Sequence, residues 1–259
     1  FPGWERFVRR LHYSGCKVFV TGSNANMLSR DLGTHLTGRY CQIELYPFSF
    51  PEFLKIKEVY PQQKDFYTTT GKSMLKRYFD EYVKTGGFPR YIKDPNTNYL
   101  STLYENIIYK DVVTRNKLNG ERELLEMVYY LASNATKRFS YTSLAKTIGI
   151  KHTETVKNYL EYLENTYLLF QVMKFDWSVK KQMNNQKKVY FIDNAIIGKV
   201  GFNATDNIGQ LLENLVFLEI KRQGKDVYYH DDRIECDFIM RENGHIVSAC
   251  QVTRSMKDE

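Results

Sequence analysis

KVFVTGSNANMLSRDLGTHLTGRYCQIELYPFSF, residues 17 to 50, reads as a strand, a polar turn, a helix and a second strand. Val18, Phe19 and Val20 form a short apolar run without alternation, the pattern of a strand buried on both faces of a parallel sheet. Thr21, Gly22, Ser23 and Asn24 follow at its carboxyl end, the place where open α/β sheets bind ligands. The spacing predicts a short helix over residues 25 to 32, closed by Gly33, and a second strand from Cys41 to Leu45, ended by Pro47. The unit is a strand, a crossover and a strand.

Outward from this stretch, Pro2 to Tyr13 reads as a helix with Phe7, Val8 and Leu11 on one side. Two parallel strands cannot cover both faces of a sheet. The expectation is therefore that the sequence starts inside an α/β domain whose other strands lie upstream.

The 259 residues are 42% hydrophobic and 26% charged, ordinary for globular material and long enough for more than one domain. No apolar run approaches the ~18 residues that a membrane span requires, so no membrane partner is expected. Cys16, Cys41, Cys236 and Cys250 lack the paired spacing of zinc or redox sites. In a chain of this size they fit buried, reduced thiols in a cytoplasmic protein. A net charge of +7 and a pI near 9.0 favour an anionic partner.

The strings PGWE, VFVTGSNANML, LTGRY, ELYPFSFPEFL and GGFP occur here in that order. Together they resemble the AAA+ type ATPases of bacteria and archaea that carry a winged helix and an endonuclease-like C-terminal domain. The resemblance spans nearly the whole chain. It implies an α/β multidomain protein: half of a parallel-sheet ATPase core over 1–50, a helical lid region over 51–120, a winged helix over 121–200 and an incomplete restriction-endonuclease-like domain over 201–259. In that family the Walker A loop and the Walker B strand precede the PGWE helix. ATP and Mg²⁺ are thus cofactors expected of the intact protein, and residues 1–259 alone are expected neither to bind nor to hydrolyse ATP.

TTTGKS, Thr68 to Ser73, ends like a phosphate-binding loop, but Phe66 stands where the first glycine belongs and no strand precedes it. Ser73 is read instead as the start of an amphipathic helix. A polar side chain just past a central strand can hold the attacking water or the γ-phosphate in line, and an arginine can stabilise charge that develops on a neighbouring subunit's γ-phosphate. The resemblance points to Asn24, with Ser23 second, for the first role. For the second it points to Arg39, with Arg30 in reserve. Read without the resemblance, Asn24 is a helix cap and Arg39 a solvated loop charge.

Between Phe50 and Asn119 the spacing of Leu75, Tyr78, Phe79 and Tyr82 predicts a helix capped by Gly86 and Gly87 and stopped by Pro89. A second helix is expected over Tyr99 to Asn116, with Leu103, Ile107 and Val113 inward. From Glu121 the pattern predicts three helices, Glu123 to Asn134, Tyr141 to Ile148 capped by Ser140, and Glu154 to Asn165 capped by Thr153. The last two are joined tightly enough for a helix-turn-helix. The strands LLFQVMKF and KKVYFIDN would flank a basic wing, WSVKKQMNNQKK.

Residues 121–200 hold 12 Lys and Arg against 8 Asp and Glu. Lys180, Lys181, Lys187 and Lys188 in the wing, with Lys157 on the second helix of the pair, are the candidates for sequence-independent contact with the phosphates of double-stranded DNA. A wing that packs or binds a protein, whether a partner or another copy in a homo-oligomer, is the alternative.

After residue 207 the order is a helix and then the strands DVYYH, IECDFIM and IVSACQVT. This resembles the start of a PD-(D/E)xK nuclease fold, and Glu213 and Asp237 match its first two metal-binding positions. Gln251 and Thr253 stand at the other two, so a carboxylate and a lysine are missing. A hard cation is held by anionic oxygens, and hydrolysis needs it held well. The expectation is a nuclease-like fold without nuclease activity.

Overall fold

A computed structural model describes residues 4–22, 41–202, 207–232 and 234–253 of the chain. Helix α1 spans Trp4–Tyr13 and buries none of its side chains. The expected strand at Val18 to Val20 is not formed, and Phe19 is 79% exposed. Cys41 to Leu45 is likewise outside any strand, with Ile43 and Leu45 exposed. The reason is physical: no described residue supplies the neighbouring strands on which a two-sided buried strand depends. Ser23, Asn24, Arg30, Arg39 and the helix expected over 25–32 lie outside the described residues.

The class is mixed α/β, but the described sheets are antiparallel, with three strands each, rather than the parallel sheet expected at residues 17–50. From Phe50 the chain is helical: α2 (Phe50–Ile56), a 3₁₀ turn (Gln63–Phe66), α3 (Thr69–Thr85), α4 (Pro89–Lys93) and α5 (Tyr99–Glu105), which continues as a π-helix through Asn106–Thr114. Helix α3 starts four residues before Ser73. The Thr68 side chain accepts from the Gly71 N–H at 3.2 Å, and a Cβ on Gly71 would come within 2.4 Å of the Asp65 backbone. Glycine is there for close packing on the 3₁₀ turn. Along the π turn Ile108 and Val112 are fully buried, and the expected Leu103, Ile107 and Val113 are half-buried against the same core.

Next come α6 (Glu121–Ser133), β1 (Arg138–Phe139), α7 (Tyr141–Ile148) and α8 (Thr153–Asn165). Ser140 caps α7 by accepting from the Ser143 N–H at 3.0 Å, and Gly149 ends it with a left-handed φ of +83°. Thr153 lies inside α8, and His152 takes the capping position without a side-chain bond. Val156, Leu160 and Leu163 are buried as the spacing predicts. Strand β2 (Leu169–Met173), the short helix α9 (Val179–Asn184), β3 (Lys187–Phe191) and α10 (Asn194–Val200) complete this part, and the sheet order is β1-β3-β2. The basic stretch after β2 is thus part hairpin and part helix.

Helix α11 (Ile208–Arg222) leads to the meander β4 (Asp226–Asp231), β5 (Glu235–Glu242) and β6 (His245–Cys250). One continuous core runs from Phe53 through α6 and α8 to Leu215. A second gathers Val172, Tyr190, Phe217, Tyr229 and Phe238. Strand β3 is the wall between them, buried on both faces. Because side chains alternate along a strand, Val189 and Phe191 enter the first core and Tyr190 the second.

At the carboxyl end of β3 the polar residues are fully used. Asp193 accepts from the Ala195 N–H at 2.8 Å and from the Gly87 N–H at 2.6 Å. Asn194 donates to Val83 O and Leu211 O, at 2.7 and 3.0 Å. Asn214 accepts from the Phe191 N–H at 2.8 Å and donates to Phe191 O and Asn194 Oδ1, both at 3.0 Å. Gly86 and Gly87 do more than cap α3: a Cβ on Gly86 would strike Asp193, and one on Gly87 would lie 2.2 Å from Phe48 O. The same turn accepts from the Phe48 N–H at 2.8 Å through Gly87 O.

Burial raises the Asp193 carboxyl to about 7, against the pull of its two N–H partners and of Arg222. Its protonated form adds stability that is complete below the ordinary carboxylate range and is lost as pH rises through about 7. Urea unfolding at a series of pH values should show wild type losing a few kcal/mol relative to Asp193→Asn between about pH 4 and 7. Parallel curves for the two proteins would contradict this.

Candidate functional site

Strand β3 turns Lys188 and Tyr190 to one face, toward α11 and β5, and there they meet two acids. The Lys188 ammonium lies 2.9 Å from Glu213 Oε1 and 3.0 Å from Asp237 Oδ1. The Tyr190 hydroxyl donates to the same Glu213 oxygen at 2.7 Å. Asp237 Oδ2 accepts from the Val252 N–H at 3.0 Å, and the Asp237 N–H donates to Gln251 Oε1 at 3.1 Å. The third side of the ammonium faces the Tyr229 ring, 5.6 Å from its centroid. Lys188, Glu213, Asp237 and Gln251 line an open cleft of about 760 Å³ together with Lys137, Arg138, Gln186, Asn207 and Glu235.

The electrostatics follow from the burial. Desolvation opposes charge on Lys188, but Glu213 and Asp237 outweigh it and hold the ammonium above its ordinary pKa. Burial pushes the Glu213 carboxyl up, in spite of Lys188 and Tyr190. Desolvation also raises the Tyr190 hydroxyl, so it stays a donor. What the arrangement does chemically is set one positive charge from inside the chain between two largely buried carboxyls, of which Glu213 is pushed toward its neutral form.

Glu213 and Asp237 are brought together as the sequence suggests, while their expected role as ligands of a divalent ion does not fit. A lysine stands between them, and Gln251 spends its oxygen on a backbone N–H. Among the described residues no group of three or more His, Cys, Asp or Glu is arranged to hold a metal.

Of the expected DNA-contacting lysines, Lys187 and Lys188 are not on an exposed wing. They sit in β3 at 7% and 5% exposure, because the strand is buried on both faces. Lys187 donates to Met183 O at 3.0 Å and lies 4.6 Å from the centre of the Tyr141 ring. Lys180 and Lys181 are exposed on α9, and Lys181 faces Asp176 at 3.9 Å. Lys157 is exposed and paired with Glu154 at 3.2 Å.

Sequence reasoning gave Lys188 to a DNA-contacting wing instead of to these acids, and did not single out Tyr190. The available signal was their i, i+2 spacing in strand β3, which puts both on one face. A second ionic cluster joins the same parts: Asp231 pairs with Arg138 and with Lys174, the latter at 2.5 Å. The four cysteines are free thiols, and Cys16 and Cys41 are exposed rather than buried. No helix among the described residues is long and apolar enough to cross a membrane.

Residues 76–206, just over half of the chain, match the domain of unknown function family DUF8612, and the chain belongs to that family. Residues 1–54 match an AAA domain family. An uncharacterized protein of Methanocaldococcus jannaschii is 35% identical over 95% of this chain and 58% of its own length. An uncharacterized protein of Haemophilus influenzae is 31% identical over 95% of this chain and 61% of its own. The chain therefore spans about three fifths of the length of these relatives. No solved structure matches it.

Proposed function

We propose that this member of the DUF8612 family is part of an AAA+ type ATPase that hydrolyses ATP with Mg²⁺, and that residues 121–200 and 201–259 are its winged-helix and nuclease-like modules. The observation that carries the ATPase reading is the match of residues 1–54 to an AAA domain. Relatives that extend well beyond this chain leave room for the phosphate loop and the metal carboxylate. In the intact protein Asn24, seconded by Ser23, orients the attacking water or the γ-phosphate. Arg39 reaches a neighbouring subunit's nucleotide, which makes the working form an oligomer. A cytoplasmic setting agrees with four free thiols.

The winged-helix reading is supported by the order helix, strand, helix, helix, strand, short helix, strand and by the sheet order β1-β3-β2. Residues 208–250 support the nuclease-like reading by their helix and meander, with an acid on α11 and another on β5. With Lys188 among those acids, this module holds structure and does not cut. The exposed basic groups left for DNA phosphates are Lys157, Lys180 and Lys181. A protein-binding hairpin is favoured as the second reading by Trp177, Val179 and Met183, which are 80%, 67% and 65% exposed around the same lysines.

In the full-length protein, Asn24→Ala and Arg39→Ala should each lower kcat for ATP hydrolysis tenfold or more, roughly the range seen for single groups that act on the transition state, with ATP affinity less affected. Turnover equal to wild type in both variants would remove the assignment. For the hairpin, Lys180→Glu with Lys181→Glu should weaken binding to unrelated duplexes equally. It should also reduce the salt slope by about 1.8, at ~0.9 per phosphate contact. Wild type that binds no duplex at low salt leaves the protein-binding reading.

A further inference from the structure

We propose that Lys188 is the built-in counter-cation of the Glu213 and Asp237 pair: its ammonium stands where a divalent ion would bridge the two acids, closing the module to metal and fastening it to strand β3. Three observations carry this. The side chains of Lys188, Glu213 and Asp237 are only 7%, 14% and 8% exposed, so their charges must be balanced locally rather than by solvent. The N–O distances of 2.9 and 3.0 Å are those of charge-assisted hydrogen bonds, whereas Mg²⁺ draws its oxygens to roughly 2.1 Å. Part of the ligand set is already committed: the Glu213 Oε1 that faces Lys188 also accepts from Tyr190, Asp237 Oδ2 accepts from the Val252 N–H, and Gln251 Oε1 accepts from the Asp237 N–H.

The chain origin of the three groups adds the second half of the inference. Lys188 comes from β3, in the part that matches the DUF8612 family, while its acids come from α11 and β5, which lie beyond that match. One ammonium therefore joins two parts of the chain that a metal ion would hold only within the later one. The ammonium is tethered, and the desolvation that opposes its charge is outweighed by the two acids.

The test uses the full-length protein without nucleotide and with Mn²⁺ as the probe. In chelator, Lys188→Met keeps the volume of the aliphatic stem but leaves two acids unneutralised, so its Tm should fall by roughly 10 °C. Millimolar Mn²⁺ should restore most of that loss, with at least tenfold tighter Mn²⁺ uptake than in wild type, and adding Asp237→Asn should abolish both effects. Wild type that gains as much from Mn²⁺ as the variant overturns the inference, as does a folded Lys188→Met protein that takes up none. A variant unfolded in every buffer is decided by Lys188→Met with Glu213→Gln and Asp237→Asn: recovery of folding upholds Lys188 as the counter-ion, and no recovery overturns it. The inference deepens the reading of residues 201–259 as a non-cutting module but does not depend on ATP hydrolysis. Wild type that binds Mn²⁺ tightly and cuts nothing would overturn the inference and leave that reading standing.

Discussion

Burying two carboxyls side by side costs their solvation and sets their charges against each other, and the packing of this chain around strand β3 answers to that constraint. Lys188 supplies the charge. Removing one partner from such a buried group costs about 3–5 kcal/mol, a large share of the 5–15 kcal/mol that holds a typical protein folded. The strand that carries Lys188 is also the wall between the two apolar cores, with Val189 and Phe191 on one side and Tyr190 on the other. Charge and burial therefore act on the same five residues: Lys188 and Tyr190 reach the acids while their neighbours fill the larger core.

The carboxyl end of β3 repeats the principle with neutral groups. Asn214 reads both backbone groups of Phe191, Asn194 reaches two helices, and Asp193 holds the glycine turn after α3. Apolar side chains of similar size could fill this space but would leave several buried N–H and C=O groups without partners, each costing ~1–3 kcal/mol. The polar network sets the position of α3, α10 and α11 relative to one another. Gly86 and Gly87 follow from it, since a side chain at either would collide with Asp193 or Phe48.

Much of this was legible in the sequence because local chemistry decided it. Ser140 and Gly149 mark the ends of α7, and the spacing of Val156, Leu160 and Leu163 marks the buried side of α8. The failures came where long-range contacts overrode local pattern. The run Val18 to Val20 looks like a buried strand, yet such a strand exists only with neighbours that the described residues do not provide. The π turn after Glu105 puts Ile108 and Val112 deepest, with the expected Ile107 and Val113 half-buried beside them, and no composition marks it. Lys188 looked like part of a solvated basic run because its partners lie in α11 and β5, 25 and 49 residues later in sequence, while Lys187 is turned inward onto Met183 O of the short helix before it. Glu213 and Asp237 were found as a pair, but the group between them could only be seen in three dimensions.

Under the proposed reading, Lys188 stands in for a metal in residues 201–259 and fastens them to β3, and the chemistry of the protein is left to the part that matches an AAA domain. The most direct measurement is diffraction at the manganese absorption edge from crystals of the full-length protein soaked in Mn²⁺. The predicted result is no anomalous peak between Glu213 and Asp237, with the Lys188 ammonium in contact with both. A manganese peak at that position, with Lys188 turned away, would contradict the account.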